Sequence, residues 1–303
     1  MIPDDYLKYP KRRYGMDHDL YEWSVLSKRG PVKWPGGARV ALWITVALQW
    51  FPLDMKGQPF KPPGALQTAY PDLRHYTLRD YGNRVGIFRV MKALERHGIR
   101  GSAAVNGAVA SRYPGLIHEC KNRGWEIVAH GLDMDHLHYE GMADEKSLIE
   151  RALRHLPPVR GWLSPAKSES HRTLDLLAET GIEYVCDWVN DDMPYRMKNL
   201  YSMPHSSDID DYVILVNNHH GEDEFRDQLI DQFDLLHEES QNQGGRIMSI
   251  SLHPWVIGQP YRIGALESAL AHIMRHPGVW PATGAEILDA WKAQRTAQGA
   301  SAA

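Results

Sequence analysis

The chain has 303 residues, of which 43% are apolar and 24% charged, and its formal net charge is −4. That balance supplies a globular core, and it excludes both a long disordered chain and the basic footprint of a nucleic-acid binder. The two cysteines, Cys120 in a helical pattern and Cys186 in a strand pattern, read as buried thiols of a reducing compartment rather than as a bridge.

No apolar run approaches a membrane span, and the first residues lack the apolar core of a secretory signal. The expectation is a cytoplasmic protein with a small-molecule substrate and with neither a nucleic acid nor a membrane as partner. Residues 1–33 are polar, aromatic and rich in Pro and Gly, the pattern of an arm laid over the domain or a neighbouring subunit. Residues 34–295 read as one domain and 296–303 as a flexible tail.

In chain order, W-P-G-G-A-R at 34–39 is a turn into V-A-L-W-I-T-V-A-L at 40–48, apolar throughout and hence a central strand. Residues 52–79 read as a long loop of functional length. Helical spacing covers 85–98, with Gly98 as its stop. Then come a strand at 101–106, a helix at 107–123, a strand at 126–131, a helix at 145–156, a strand at 159–164 and a helix at 173–181. Strands at 184–189 and 212–218, a helix at 222–239, a strand at 246–254 and a helix at 264–275 complete the order. Such alternation means a parallel α/β sheet covered by helices, and about seven units favour a closed or nearly closed barrel over an open doubly wound sheet. No G-x-G-x-x-G follows a strand, which leaves a dinucleotide fold unsupported.

The richest stretch is W-E-I-V-A-H-G-L-D-M-D-H-L-H-Y-E-G-M at 125–142. A buried strand there delivers His130 and then Asp133, Asp135, His136 and His138. One such histidine alone is more often a satisfied backbone partner; five groups together after a buried strand favour a site. Other strand ends carry Gln49 with Trp50, Asn106, Ser164, Asp187 with Trp188, Asn217 with His219 and His220, and His253 with Trp255. In a barrel these converge on one face, and the accompanying tryptophans suit a lined pocket. Asp187 is the functional candidate of its turn, whereas Asp191 and Asp192 read as turn formers.

The motifs W-P-G-G-A-R-V-A-L, W-E-I-V-A-H-G, R-G-W-L-S-P, D-W-V-N-D-D-M-P-Y and S-L-H-P-W-V-I-G-Q-P resemble the polysaccharide deacetylase superfamily over about residues 34–275, and within it the cytosolic allantoinase-like branch. The resemblance implies a distorted (β/α)7 barrel that hydrolyses amide-type carbon–nitrogen bonds. It implies His130 as a metal-binding histidine, His253 as the general acid on the leaving nitrogen, and Arg160 and Asp187 as orienting groups. With the arm at 1–33, the branch also implies a homo-oligomer.

Two positions depart from the pattern. Gln49 stands where a carboxylate is expected, and a neutral amide is no general base. Met134 stands where the second metal-binding histidine belongs. Either His136 or His138, with Asp133 or Asp135, bends back to complete a zinc or other divalent metal site with His130, or the site works without metal, and the two stand level. Without metal, donors such as His130 and His253 must stabilise the oxyanion. The expectation is hydrolysis of a small ureide or cyclic amide, stacked in a pocket rimmed by Trp50, Trp162, Trp188 and Trp255. The alternatives are a carbohydrate N-deacetylase and a catalytically inactive small-molecule binding protein.

Overall fold

Nine consecutive apolar or small residues form the central strand β1 (Val40–Leu48), and every one of them is buried. The computed structural model describes residues 18–55 and 71–300, with the backbone alone for 295–300. Arm residues 1–17, loop residues 56–70 and tail residues 301–303 lie outside the described part.

The further strands are β2 (Ser102–Val105), β3 (Glu126–Ala129), β4 (Gly161–Trp162), β5 (Tyr184–Val185), β6 (Tyr195–Met197), β7 (Leu200–Ser202), β8 (Arg246–Leu252) and β9 (Val279–Pro281). Their order is β6-β7-β5-β4-β3-β2-β1-β8, parallel except for the β6–β7 hairpin, with β9 alongside the start of β1. The covering helices are α1 (Leu73–Tyr81), α2 (Ile87–Arg96), α3 (Gly107–Arg112), α4 (Pro114–Asn122), α5 (Glu145–Leu153), α6 (Thr173–Glu179), α7 (Glu222–Gln243), α8 (Ile263–Met274) and α9 (Gly284–Ala300). The sheet curls into a distorted α/β barrel with an open seam. Across that seam the chain after β7 meets β8 through the bridge Asp210–Ser251 and the Ser251 N–H donated to Ile209 O (3.0 Å).

Alternation along β1 divides the core. Val40, Leu42, Ile44, Val46 and Leu48 pack outward with α2, α7 and α8 residues such as Ile87, Phe225 and Leu266. Full burial of each such side chain contributes about 1.5–3 kcal/mol. Ala41 and Trp43 face inward and, with Tyr184, Met203 and Trp291, plug one end of the barrel. Thr45, Ala47 and Gln49 continue that inward face and line the cavity at the other end.

Several expectations change. Residues 212–218, read as a strand, are a helical turn (Val213–Asn217), because Asp210 Oδ1 accepts the N–H groups of Tyr212 (2.8 Å) and Val213 (3.1 Å) and caps it. The long loop contains α1, joined to α2 by a π-helical stretch at Gly82–Gly86. The hairpin β6–β7 and the short β9 carry no periodicity of their own, and α9 runs through 296, where the flexible tail was expected to begin. Gly86 lets α2 approach the segment after β8: a Cβ there would lie 2.0 Å from Pro254 O.

Candidate active site

Beyond the barrel plug lies a cavity of about 620 Å³, lined on its apolar side by Phe51, Met134, Leu137 and Trp255. Its polar wall carries Gln49, His130, Lys167, His205, Asp210 and His253.

His130 follows β3, and Gly131 after it adopts φ 63°, a left-handed turn that suits glycine. A Cβ on Gly131 would also lie 2.4 Å from Pro165. His130 Nδ1–H donates to Leu163 O (2.8 Å), so Nε2 carries the lone pair. Gln49 donates to that lone pair from Nε2 (3.3 Å). Burial, with the neighbouring His253 charge, pushes His130 down to about 4 against the opposing effect of the Leu163 carbonyl. The ring is therefore neutral at pH 7, which is why Gln49 presents its amide N–H and not its oxygen. Asn106 holds the two strand ends together: it donates to His130 O and accepts Trp50 N–H (2.7 Å).

His253 follows β8 and takes the opposite charge. Its Nδ1–H donates to Asp211 Oδ1 (2.7 Å), and Asp211 also accepts the N–H groups of His253 (2.9 Å) and Ile257 (3.2 Å). Burial alone would lower this histidine, but the Asp210 and Asp211 carboxylates more than offset it and hold His253 at about 9. Asp210 Oδ1 lies 3.7 Å from the same ring. Burial pushes Asp210 up to about 6, although His253 pulls in the other direction.

The structure therefore brings Gln49, His130, His253 and Trp255 to one cavity, and other expected site residues elsewhere. Trp50 alternates away from Gln49 and stacks under the Arg112 guanidinium (4.3 Å), beside Tyr76 and Tyr113. Trp162 is fully buried on the helix side of the sheet among Ile149, Leu174 and Leu177. Trp188 packs edge-on to arm residue Tyr21 and donates to Glu169 (3.2 Å). Arg160 precedes β4, at the opposite mouth of the barrel, where it pairs with Glu183 and Asp289. Asp187 is not among the cavity-lining residues; it accepts Ser164 N–H (2.7 Å) and fixes the loop after β4. Burial raises both Asp187, to about 6, and its neighbour Glu169, to about 9. Asp191 is bound by Arg29 (2.6 Å), tying the described arm to its own domain.

Asp210 and Asp211 were missed because their partner is 42 residues further along the chain and their segment read as the approach to a strand. Lys167 and His205 carry no motif of their own in the sequence.

The divalent metal implied for His130 does not suit the residues around it. Gln49 occupies its lone pair, and Met134 offers only a thioether. His136 turns onto Asp133 (2.7 Å), which also accepts the N–H groups of Asp135 and His136 in a local turn. His138 is buried against Glu145 (3.1 Å) and the Trp162 edge. Asp210, Asp211 and His253 offer ligand atoms within 4.8 Å of one another. The hydrogen bonds given above already engage the Asp211 oxygens and His253 Nδ1.

A larger cleft of about 1340 Å³ runs beneath arm residues Tyr21–Val32. Among the described residues it has no imidazole, so the chemistry points to the smaller cavity.

A sequence family described as polysaccharide deacetylase matches residues 76–185. A Schizosaccharomyces pombe protein assigned by name to the polysaccharide deacetylases is 27% identical over 242 residues, covering 71% of this chain and 75% of that protein. Among solved structures, Puue allantoinase superposes with a TM-score of 0.77 at 25% identity, covering 94% of this chain and 98% of its own. A probable polysaccharide deacetylase from Pseudomonas aeruginosa PAO1 gives 0.74 at 25% identity, covering 93% and 98%. The barrel fold is shared with both.

Proposed function

We propose that this chain, which carries a polysaccharide deacetylase domain, hydrolyses the non-peptide carbon–nitrogen bond of a small cyclic amide or ureide. The observation that carries this reading is a single cavity holding an acid, the His253 imidazolium at about 9, and a base, the Asp210 carboxylate at about 6, whose Oδ1 lies 3.7 Å from that ring. Two titratable groups held apart in this way divide acid from acceptor roles.

Water attacks the amide carbonyl and gives a proton to Asp210, the cavity carboxylate poised near 6. The second N–H of the Gln49 amide is a donor for the oxyanion, and His130 holds that amide in place. As the carbon–nitrogen bond breaks, His253 gives its proton to the leaving nitrogen. Asp211 keeps the ring oriented throughout. No step passes through a metal, because the donor set around His130 does not suit one.

A volume of about 620 Å³ with one apolar wall is the size of a small-molecule pocket. The likeness to Puue allantoinase supports the ureide end of the substrate range, and the family description supports an N-acetyl sugar as the second reading. A cytoplasmic setting belongs to the same proposal and is consistent with Cys120 and Cys186 as buried free thiols. No described helix is long and apolar enough to cross a membrane. Assembly as a homo-oligomer through the arm is also part of it.

The test is turnover of allantoin, hydantoin and succinimide beside N-acetylglucosamine oligomers, with His253→Ala as the control. Ring opening that His253→Ala abolishes supports the proposal. Acetate release from the sugar alone selects the N-deacetylase, and ligand binding without any turnover selects a catalytically inactive binding protein.

A further inference from the structure

In the wall of the same cavity, the loop after β4 carries two successive non-glycine residues in the left-handed region, Ala166 (φ 55°) and Lys167 (φ 53°). Side chains with a Cβ rarely adopt this conformation, and it persists only where surroundings impose it. Here they do: Asp187 accepts Ser164 N–H (2.7 Å), and Lys167 N–H donates to Ser164 O (2.9 Å). The loop is thus a rigid mount for one side chain in the cavity wall.

That side chain is a cation with no counter-charge in contact. Lys167 Nζ donates to His205 O (3.1 Å) and Ser207 Oγ (2.7 Å), both neutral, and among the described residues no carboxylate pairs with it. Burial lowers Lys167, while Asp187 and Asp210 act on it only from a distance. The ammonium has a third N–H to give. On the same wall His205 is buried, its Nε2 bonded to Thr45 (2.9 Å) and Ser251 (3.0 Å), and among the described residues its Nδ1 has no partner. A half-buried cation without a paired carboxylate and, on the same wall, a buried imidazole nitrogen without a partner among the described residues both favour a ligand that completes them.

We infer that Lys167 is the receptor for a carboxylate, so that the cavity takes an amide or ureide that also carries an acidic group. This rests on the reading of the cavity as a hydrolase site. Lys167 is then a specificity residue with no part in bond cleavage.

The probes are hydantoin-5-acetate and its neutral isostere hydantoin-5-acetamide, titrated calorimetrically into the full chain and into Lys167→Met and Lys167→Arg. Met keeps the length of the side chain and adds no new backbone strain. The unsubstituted protein is expected to prefer the acetate by about 10–100-fold, the range of charge-assisted hydrogen bonds. Lys167→Met is expected to lose that preference, binding the two probes with similar affinity, and Lys167→Arg to restore most of it. Equal affinities in the unsubstituted protein, no binding of the acetate, or a preference that survives in Lys167→Met overturns the inference. Because binding is read apart from turnover, a Lys167-dependent preference without hydrolysis keeps this inference and sinks the proposed activity. Hydrolysis of both probes without preference does the reverse.

Discussion

Replacing Asp211 by Asn leaves the shape of the site almost unchanged and removes the charge in contact with His253. The Asn oxygen can still accept Nδ1–H, so the ring keeps its orientation. The rise of His253 from its ordinary 6.5 to about 9 corresponds to about 3 kcal/mol in favour of the imidazolium. At pH 7.5 that amounts to about thirty charged rings for each neutral one. Without the Asp211 charge, the lowering effect of burial is opposed only by Asp210 at 3.7 Å. The ring should then titrate near or below 6.5, leaving about one in ten charged at pH 7.5. The turnover rate should fall about tenfold at that pH and recover only in part on acidification, because Asp210 protonates near 6, with the alkaline limb moving from near 9 to below 7. The amide also turns a donor toward the Ile257 N–H, which keeps its bond to His253 O (3.0 Å), so the substitution leaves no orphaned donor there and the limb is unaffected. Rate profiles between pH 5 and 10, with NMR titration of the histidine Cε1 protons, measure this. A limb still near 9, with an unshifted His253 resonance, would refute the assignment of Asp211 as its charge partner.

Other outcomes follow from the same geometry. Activity requires Asp210 ionised and His253 protonated, so the rate should form a bell between about 6 and about 9; Asp210→Asn should lower the rate about 10²–10⁴-fold and erase the acid limb, and a retained limb would remove Asp210 as the base. Gln49→Glu places an acceptor against the His130 lone pair, so His130 should titrate well above about 4 and turnover should drop at least about tenfold; an increase would show instead that a carboxylate at 49 restores a base. Dialysis against a chelator should leave the rate within about two-fold, since His130 lacks companion ligands among the described residues; a loss restored by zinc would place a metal in the mechanism. Truncation after Pro31 breaks the Arg29–Asp191 pair and should lower the number of protomers measured by light scattering; a monomer before and after the cut would refute an arm-mediated assembly.

The sequence made legible those features whose cause is local. Uniform apolarity identified β1, and the chain placed Gln49, His130 and His253 at the ends of β1, β3 and β8, where the cavity lies. The run Val213–Val216 was not legible, because a short β-branched stretch looks the same in a strand and in a buried helical turn. Its cap, Asp210, decides between them. Arg160 and Trp162 were misplaced by ignoring strand direction and alternation: one stands before β4 at the far mouth, and the other points to the helices. Asp211 and Lys167 owe their roles to charges and contacts made far along the chain, which spacing does not encode.

The open seam carries one further consequence. Where the barrel would close, the two sides are held by a bridge at Asp210 and by the bonds of Asp211 to His253 and Ile257. The latch of the barrel is therefore also the proton donor's harness. A local opening there would strip the acid of its partner while β1, β2 and β3 stay paired, so heat or mild denaturant should silence the protein before it unfolds. Amide exchange at His253, whose N–H donates to Asp211, should report that early event, ahead of any exchange from the centre of β1.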